Sequence, residues 1–122
     1  LHFQRQPFSE IKLVRCVRGQ ILDVFVDLRK GSEDFGKICM VTLDGDLMES
    51  VYIPAGCAHG FQTLSDDVEL HYCHSALYSP AHEGAINIAD ETLAIAWPLP
   101  IINMSDRDKN HPSLTTIEPI SL

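Results

Sequence analysis

The stretch Ile53-Pro54-Ala55-Gly56-Cys57-Ala58-His59-Gly60-Phe61, "IPAGCAHGF" at residues 53–61, decides how the chain is read. Pro54 lacks a backbone donor and Gly56 tolerates positive φ, so a turn is expected between two β-rich runs. The runs are "ESVYIP" (49–54) and "GFQTLS" (60–65). The turn predicts that His59 is delivered at the start of the second strand. A histidine in that position can bind a metal, move a proton, contact an anion or simply pack.

Working outward, the chain alternates in the way short strands do. "IKLVRCV" (11–17) sets Ile11, Leu13, Arg15 and Val17 on one face, and "RGQ" signals a turn at Gly19. "ILDVFVDL" (21–28) is β-branched and aromatic and reads as the second strand of a pair. "KICMVTL" (37–43) is a further strand, followed by "DGD" (44–46) as a tight hairpin turn. "DDVELHYCHS" (66–75) places Val68, Leu70 and Tyr72 on one face and Glu69, His71 and Cys73 on the other. Beyond "YSPAHEG" the pattern weakens. A short helical turn is expected around "DETLAI", ended by Pro98 and Pro100, and the polar "SDRDKNHPSL" reads as a loop or one short helix. Six or so short strands with Gly/Pro turns predict an all-β sandwich or barrel.

Composition narrows the classes. The 122 residues suffice for a single domain, 1–122, with one core. The net charge of −8 argues against a general nucleic-acid binder. Arg5, Lys12, Arg15 and Arg18 nonetheless cluster near the start, opposed only by Glu10, and would hold an anion if they shared a face. No apolar run approaches the ~18 residues of a membrane span, and no signal-peptide pattern is visible. Cys16, Cys39, Cys57 and Cys73 form no C-x-x-C pair; Cys16 and Cys39, among apolar neighbours, are expected to be buried thiols of a reduced, cytoplasmic protein. The chain opens at Leu1, without Met and as if inside a strand, which suggests a piece of a longer, N-terminally truncated protein.

Pro54, Gly56 and His59 match the P-x-G-x-x-H motif of the cupins. "LHFQ", "KLVRCVRGQILDVFVDLRKGSEDFGK", "IPAGCAHGF", "LSDDVELHY", "LYSPAHEG" and "WPL" follow one another as in the dTDP-4-dehydrorhamnose 3,5-epimerase family, which the chain resembles over nearly its whole length. The resemblance implies a cupin-type jelly-roll barrel with a short C-terminal helical or loop segment, a homodimer, and neither metal nor organic cofactor. It also implies a dTDP-linked 4-keto-6-deoxyhexose as substrate, inverted at C3 and C5 in rhamnose biosynthesis.

Inverting a carbon beside a ketone needs a base on one face, an acid on the other and a group that steadies the enolate oxygen. The resemblance assigns the base to His2, its orienting carboxylate to Asp108, the acid to Tyr72 and the enolate-stabilising cation to Lys12. It assigns substrate contacts to Gln4, His59, Tyr78, Glu83 and Arg107, the last suited to phosphate. Taken without the resemblance, His2 reads as a frayed terminal residue, Tyr72 as a core tyrosine, Lys12 as an exposed strand lysine and Asp108 as a solvated acid.

The chain departs from the family pattern in places. The Arg-Gly that precedes "LHFQ" is absent, and with it an expected phosphate ligand. Glu10 replaces a glutamine beside Lys12, and Leu77 replaces one of two adjacent aromatics that would stack on the nucleotide base. Two competing readings therefore stand beside the 3,5-epimerase and its single-carbon version: a non-catalytic sugar-nucleotide-binding cupin, and a metal-dependent cupin acting through His59. The paired His-x-His of metal cupins is missing, and His71 and His74 are not spaced to replace it.

Overall fold

The computed structural model describes residues 1–122. Eight strands run in chain order: β1 (His2–Gln4), β2 (Lys12–Arg18), β3 (Gln20–Asp27), β4 (Ile38–Asp44), β5 (Ser50–Ile53), β6 (Cys57–Thr63), β7 (Glu69–His74) and β8 (Glu83–Ala85). They form two antiparallel sheets, a large one ordered β4-β3-β6-β1-β8 and a small one ordered β5-β2-β7. The molecule is the all-β jelly roll that the strand pattern and the resemblance predict.

Two expected hairpins are instead crossings between sheets. β2 pairs with β5 and β7, while β3 pairs with β4 and β6, so the turn at Gly19 carries the chain from one sheet to the other. "DGD" does the same between β4 and β5. The Asp44 side chain accepts from the Asp46 N–H at 2.9 Å and opens a 3₁₀ turn, Gly45–Leu47, in place of a two-residue hairpin. The crossings touch: Gly45 N donates to the Gly19 carbonyl at 3.0 Å, and a Cβ on Gly45 would lie 2.8 Å from the Val17 carbonyl oxygen. Only glycine fits there.

The motif at 53–61 turns as expected, with Gly56 at φ 84°. The strand begins earlier than expected, at Cys57, so His59 sits inside β6, opposite Phe25 of β3 and His2 of β1. His59 is thereby aimed between the sheets.

Between the sheets lies a core of Val14, Cys16, Ile21, Leu43, Ile53 and Cys57. The back of the large sheet has its own, with Phe3, Leu22, Val24, Val26, Leu28 and Ala58 covered by Ile86, Leu93, Leu114 and Ile120. β3 is thus buried on both faces, which is why "ILDVFVDL" reads as a nearly unbroken apolar run. β2 buries Lys12, Val14 and Cys16 and leaves Leu13 and Val17 exposed. A period of two shows that the faces differ but does not say which is inside. The four early cations do not share a face. Lys12 points inward and Arg15 lies on the opposite face. Arg18 pairs with Glu69 at the edge, and Arg5 donates to the Glu118 carbonyl. Cys16 and Cys57 are buried and free; Cys39, contrary to expectation, is exposed, because the core between the sheets covers its face of β4 at Leu43 and Val41 and does not reach Cys39. Burial pushes the Cys57 thiol up to about 11 and keeps it protonated.

Residues 86–122 act as a strap across the back of the large sheet. The expected helical turn around 90–95 is a single turn closed by Ala94 N to the Asp90 carbonyl at 2.9 Å, and Ala94 at φ 46° ends it. The one α-helix, α1 (Asp106–Lys109), is capped by the Ser105 hydroxyl. No helix is long and apolar enough to cross a membrane.

Asp90 pins the strap. It is 6% exposed, and its two oxygens accept from Leu93 N at 2.9 Å and Leu114 N at 2.8 Å. Burial alone would raise its pKa. Hydrogen bonds from Ser113 and the backbone of Leu93, Leu114 and Thr92 outweigh burial and hold it below the usual carboxylate range. Asp90→Ala leaves two buried N–H groups unpaired, and urea denaturation should show a loss of about 3 kcal/mol. Because the folded pKa is depressed, this stabilisation is present above the ordinary carboxylate pKa and lost as pH falls through the folded value. The gap between the wild type and Asp90→Ala should therefore narrow in acid. An equal gap at all pH values would show that the charge contributes nothing.

Candidate active site

A cleft of about 450 Å³ opens between the sheets, lined among others by His2, Lys12, Tyr72, Tyr78 and Glu83. His2 comes from β1 of the large sheet and Tyr72 from β7 of the small one, so they stand on opposite walls. Lys12 crosses the floor. It is 3% exposed, and its Nζ donates to the His2 carbonyl at 2.9 Å and lies 3.3 Å from Glu10 Oε1. Burial draws its pKa down while Glu10 pulls it back up. The expectation of an exposed strand lysine fails because β2 turns that face inward.

His2 is held at both ring nitrogens. Nε2 lies 2.8 Å from Asp108 Oδ1, and Nδ1 lies 2.9 Å from Glu83 Oε1. α1 brings Asp108 to this point from 106 residues away. The Ser105 hydroxyl donates to its Oδ2 at 2.7 Å, and that bond, ahead of the one from His2, holds the carboxyl down at about 2. A neutral imidazole has one N–H. With Glu83 in place both ring nitrogens face carboxylates; once Glu83 moves aside, the single N–H stays on Nε2 against ionised Asp108 and Nδ1 offers a lone pair on the cleft side. Glu83 is held by its other oxygen, which accepts from Tyr78 Oη at 2.9 Å and from Arg107.

The Tyr72 hydroxyl reaches across to the large sheet, 2.5 Å from His59 Nδ1, and His59 Nε2 lies 2.7 Å from Asp23 Oδ1. Burial lowers the His59 pKa, against the opposing pull of Asp23. A neutral ring facing the Asp23 carboxylate carries its N–H on Nε2, so Nδ1 accepts the phenol hydrogen. Burial first, then Glu10 and Asp23, push the Tyr72 pKa well above its ordinary value. The phenol is therefore protonated throughout the neutral range.

The site residues expected from sequence come together, with His59 and Gln4 already bonded to other groups of the chain. His59, 3% exposed, lies between the sheets with both its nitrogens bonded, and it anchors Tyr72 from behind. Gln4 lines the cleft, but its amide ties the chain to itself: Nε2 donates to the Phe8 and Leu77 carbonyls, and Oε1 accepts from Ser79 N at 2.6 Å. Tyr78 and Arg107 stand at the exposed rim.

Sequence reasoning missed Asp23, His74 and His111. Asp23 had a signal, a carboxylate inside an apolar strand run, which a buried partner must answer. His74 completes a cluster around Glu10, its Nδ1 2.7 Å from Glu10 Oε2. Glu10, seen in the sequence only as a neighbour of Lys12, is the hub that joins Lys12, His74 and Gln4. His111 had no signal.

Fold and cleft together define a cupin-type jelly roll with a histidine–carboxylate pair facing a tyrosine across a polar floor, an arrangement for proton transfer. Residues 1–116 match the dTDP-4-dehydrorhamnose 3,5-epimerase family, and the chain belongs to that family. It is 43% identical over 110 residues to the dTDP-4-dehydrorhamnose 3,5-epimerase of Shigella flexneri, covering 90% of this chain and 61% of the relative. Among solved structures it is similar to the Legionella pneumophila enzyme RmlC in complex with dTDP-4-keto-L-rhamnose, with a TM-score of 0.90 and 38% identity over 97% of this chain and 63% of that one. It is also similar to ChmJ, a 3'-monoepimerase from Streptomyces bikiniensis, with a TM-score of 0.86 and 41% identity over 94% of this chain and 58% of that one. That structure is a double mutant, histidine to asparagine and tyrosine to phenylalanine, in complex with dTDP. The chain spans about three fifths of the length of these relatives.

Proposed function

We propose that the protein acts as an isomerase on dTDP-4-keto-6-deoxy-D-glucose, inverting C3 and C5 to give dTDP-4-keto-L-rhamnose. The observation that carries this reading is the placement of His2 and Tyr72 on opposite walls of one cleft, with the Lys12 ammonium between them. His2 Nδ1 takes the α-proton, and the electron pair moves onto the C4 oxygen. Lys12 steadies that oxygen, and Tyr72 returns a proton to the opposite face. Glu83 is drawn aside by Tyr78 and Arg107 when the sugar enters, and Asp108 holds the His2 ring through Nε2. After one turnover His2 carries an extra proton and Tyr72 lacks one; both reset through water at the open cleft. The ChmJ double mutant gives further support, since its two altered positions are 70 apart and so are His2 and Tyr72.

The likeness to ChmJ favours a second reading, inversion at one carbon only. Incubation with dTDP-4-keto-6-deoxy-D-glucose in D₂O, followed by NMR at C3 and C5, separates the two. Deuterium at both carbons with inverted product supports the 3,5-epimerase, and deuterium at one carbon supports the mono-epimerase. Binding without exchange overturns both in favour of a sugar-nucleotide-binding module.

The working unit we propose is a homodimer, supported by Leu13, Val17 and Tyr52 exposed on the small sheet. Four unpaired thiols support a reducing compartment, the cytoplasm.

A further inference from the structure

We propose that His2, Asp108 and His111 form a binding site for a zinc-class divalent cation, and that the bound cation switches the cleft off by tying up the His2 ring. The three ligand atoms, two imidazole nitrogens and a carboxylate oxygen, all lie within 4.8 Å of one another. Asp108 Oδ1 is 2.8 Å from His2 Nε2 and 3.2 Å from His111 Nε2. The two rings stand at 89° with centroids 5.2 Å apart, so both present a nitrogen to the same oxygen. Atoms bound ~2.1 Å from a tetrahedral zinc sit ~3.4 Å from one another. The first two edges are already close to that value.

Two further observations point to a cation. His111 Nε2 is buried and makes no well-aligned hydrogen bond, its polar neighbour Asp108 Oδ1 lying 3.2 Å away. A desolvated nitrogen so poorly satisfied is costly, and a metal bond would satisfy it. The surroundings also supply the outer contacts that metal-binding groups use. His2 Nδ1 faces the Glu83 carboxylate at 2.9 Å, which fixes the ring with Nε2 toward the metal, and Asp108 Oδ2 accepts from Ser105 Oγ at 2.7 Å. Two nitrogen ligands and one oxygen select zinc and its neighbours over magnesium and calcium. The His2 and Asp108 side chains are about a third exposed, 35% and 34%, so a fourth position remains open to water. This place is distinct from the metal position expected of a cupin acting through His59.

Binding stands on the geometry alone; the switch rests on the reading of His2 as the base. A cation on Nε2 takes the place of the Nε2–H···Asp108 bond, so the single ring proton sits on Nδ1 against Glu83, and Nδ1 has no lone pair left to take the substrate proton.

The test is chelator competition with Zn²⁺ alone on the wild type and on His111→Ala, with His111→Gln as a second variant and circular dichroism to confirm folding. Zinc should bind about one per chain in the wild type and about 30-fold more weakly in both variants. Co²⁺ in place of zinc should give a tetrahedral visible spectrum without a thiolate charge-transfer band. Zinc should also halt deuterium exchange into the sugar nucleotide, reversibly on adding a chelator, and about 30-fold more zinc should be needed in the variants. Equal zinc affinity in wild type and variants, or a thiolate band, overturns the site. His111-dependent binding that leaves exchange untouched keeps the site and overturns the switch.

Discussion

Replacing His2 by asparagine is expected to abolish both deuterium exchange and epimerisation, with kcat/KM falling by about 10³-fold, while the protein stays folded. A positioned general base contributes about 10²–10⁴-fold, and no other group on that wall can take over. Glu83, the nearest carboxylate to Nδ1, is held below the usual carboxylate range; burial alone would raise it, but hydrogen bonds from His2, Tyr78 and Arg107 outweigh burial. It is too weak a base to replace an imidazole. The amide of asparagine can still donate to one of the two carboxylates, so α1 should stay docked and the urea midpoint should move little. The decisive reading is exchange of the substrate α-protons in D₂O. Exchange at more than a tenth of the wild-type rate would remove His2 from the role of base, whatever became of the product.

The strands could be read in the sequence because their signals are local. Pro54 and Gly56 punctuate a turn whatever the rest of the chain does. Alternation in "DDVELHYCHS" placed Val68, Leu70 and Tyr72 on one face, and that face is the inner one, Val68 and Leu70 packing on the core between the sheets. Pairing could not be read in the same way. β2 and β3 are neighbours in sequence and lie in different sheets, because a jelly roll pairs strands far apart in the chain, and two adjacent strands with a turn look alike in a hairpin and in a crossing. The strap escaped notice for another reason. Leu93, Leu114 and Ile120 reach the back of the large sheet one at a time, with no period.

The candidate site could be named from sequence as a set of residues, but not in its geometry. The motifs around His2, Lys12 and Tyr72 carry the family resemblance, and the fold brings these three to one cleft, with Asp108 bonded to His2. What a linear reading cannot supply is which atoms are already occupied. His59 looked like a binding group because its turn aims it inward; Asp23 and Tyr72 use both its nitrogens. Gln4 looked like a substrate contact because it sits in "LHFQ"; the loops at 5–10 and 76–79 use its amide. The His59 partners, Tyr72 and Asp23, are 13 and 36 residues away, and beside the nearby Phe8 and Glu10 the Gln4 amide is claimed by Leu77 and Ser79, 73 and 75 away. No local pattern reports that competition.

Tyr72→Phe is expected to divide the reaction into its two halves. Phenylalanine keeps the ring against His74, whose centroid is 4.2 Å away, and removes only the hydroxyl that His59 anchors. His2 can still take the α-proton, exchange it with solvent and return a deuteron to the face it came from. Deuterium should therefore enter with retained configuration at a rate within about tenfold of the wild type, while inverted product falls by about 10²–10⁴-fold, the span for loss of one acid–base group. The raised pKa of Tyr72 does not oppose this role. An enolate carbon is far more basic than any phenolate, so a phenol that stays protonated up to high pH still delivers its proton downhill. What the anchor adds is position: His59, fixed by Asp23, sets where the phenol oxygen lies on the wall, and a turn about the C–O bond brings its hydrogen to the carbon. If exchange and inversion fell together, Tyr72 would be orienting the sugar and not supplying the proton. If inversion survived undiminished, the acid would have to be sought elsewhere on the small sheet, with His74 the nearest group able to serve.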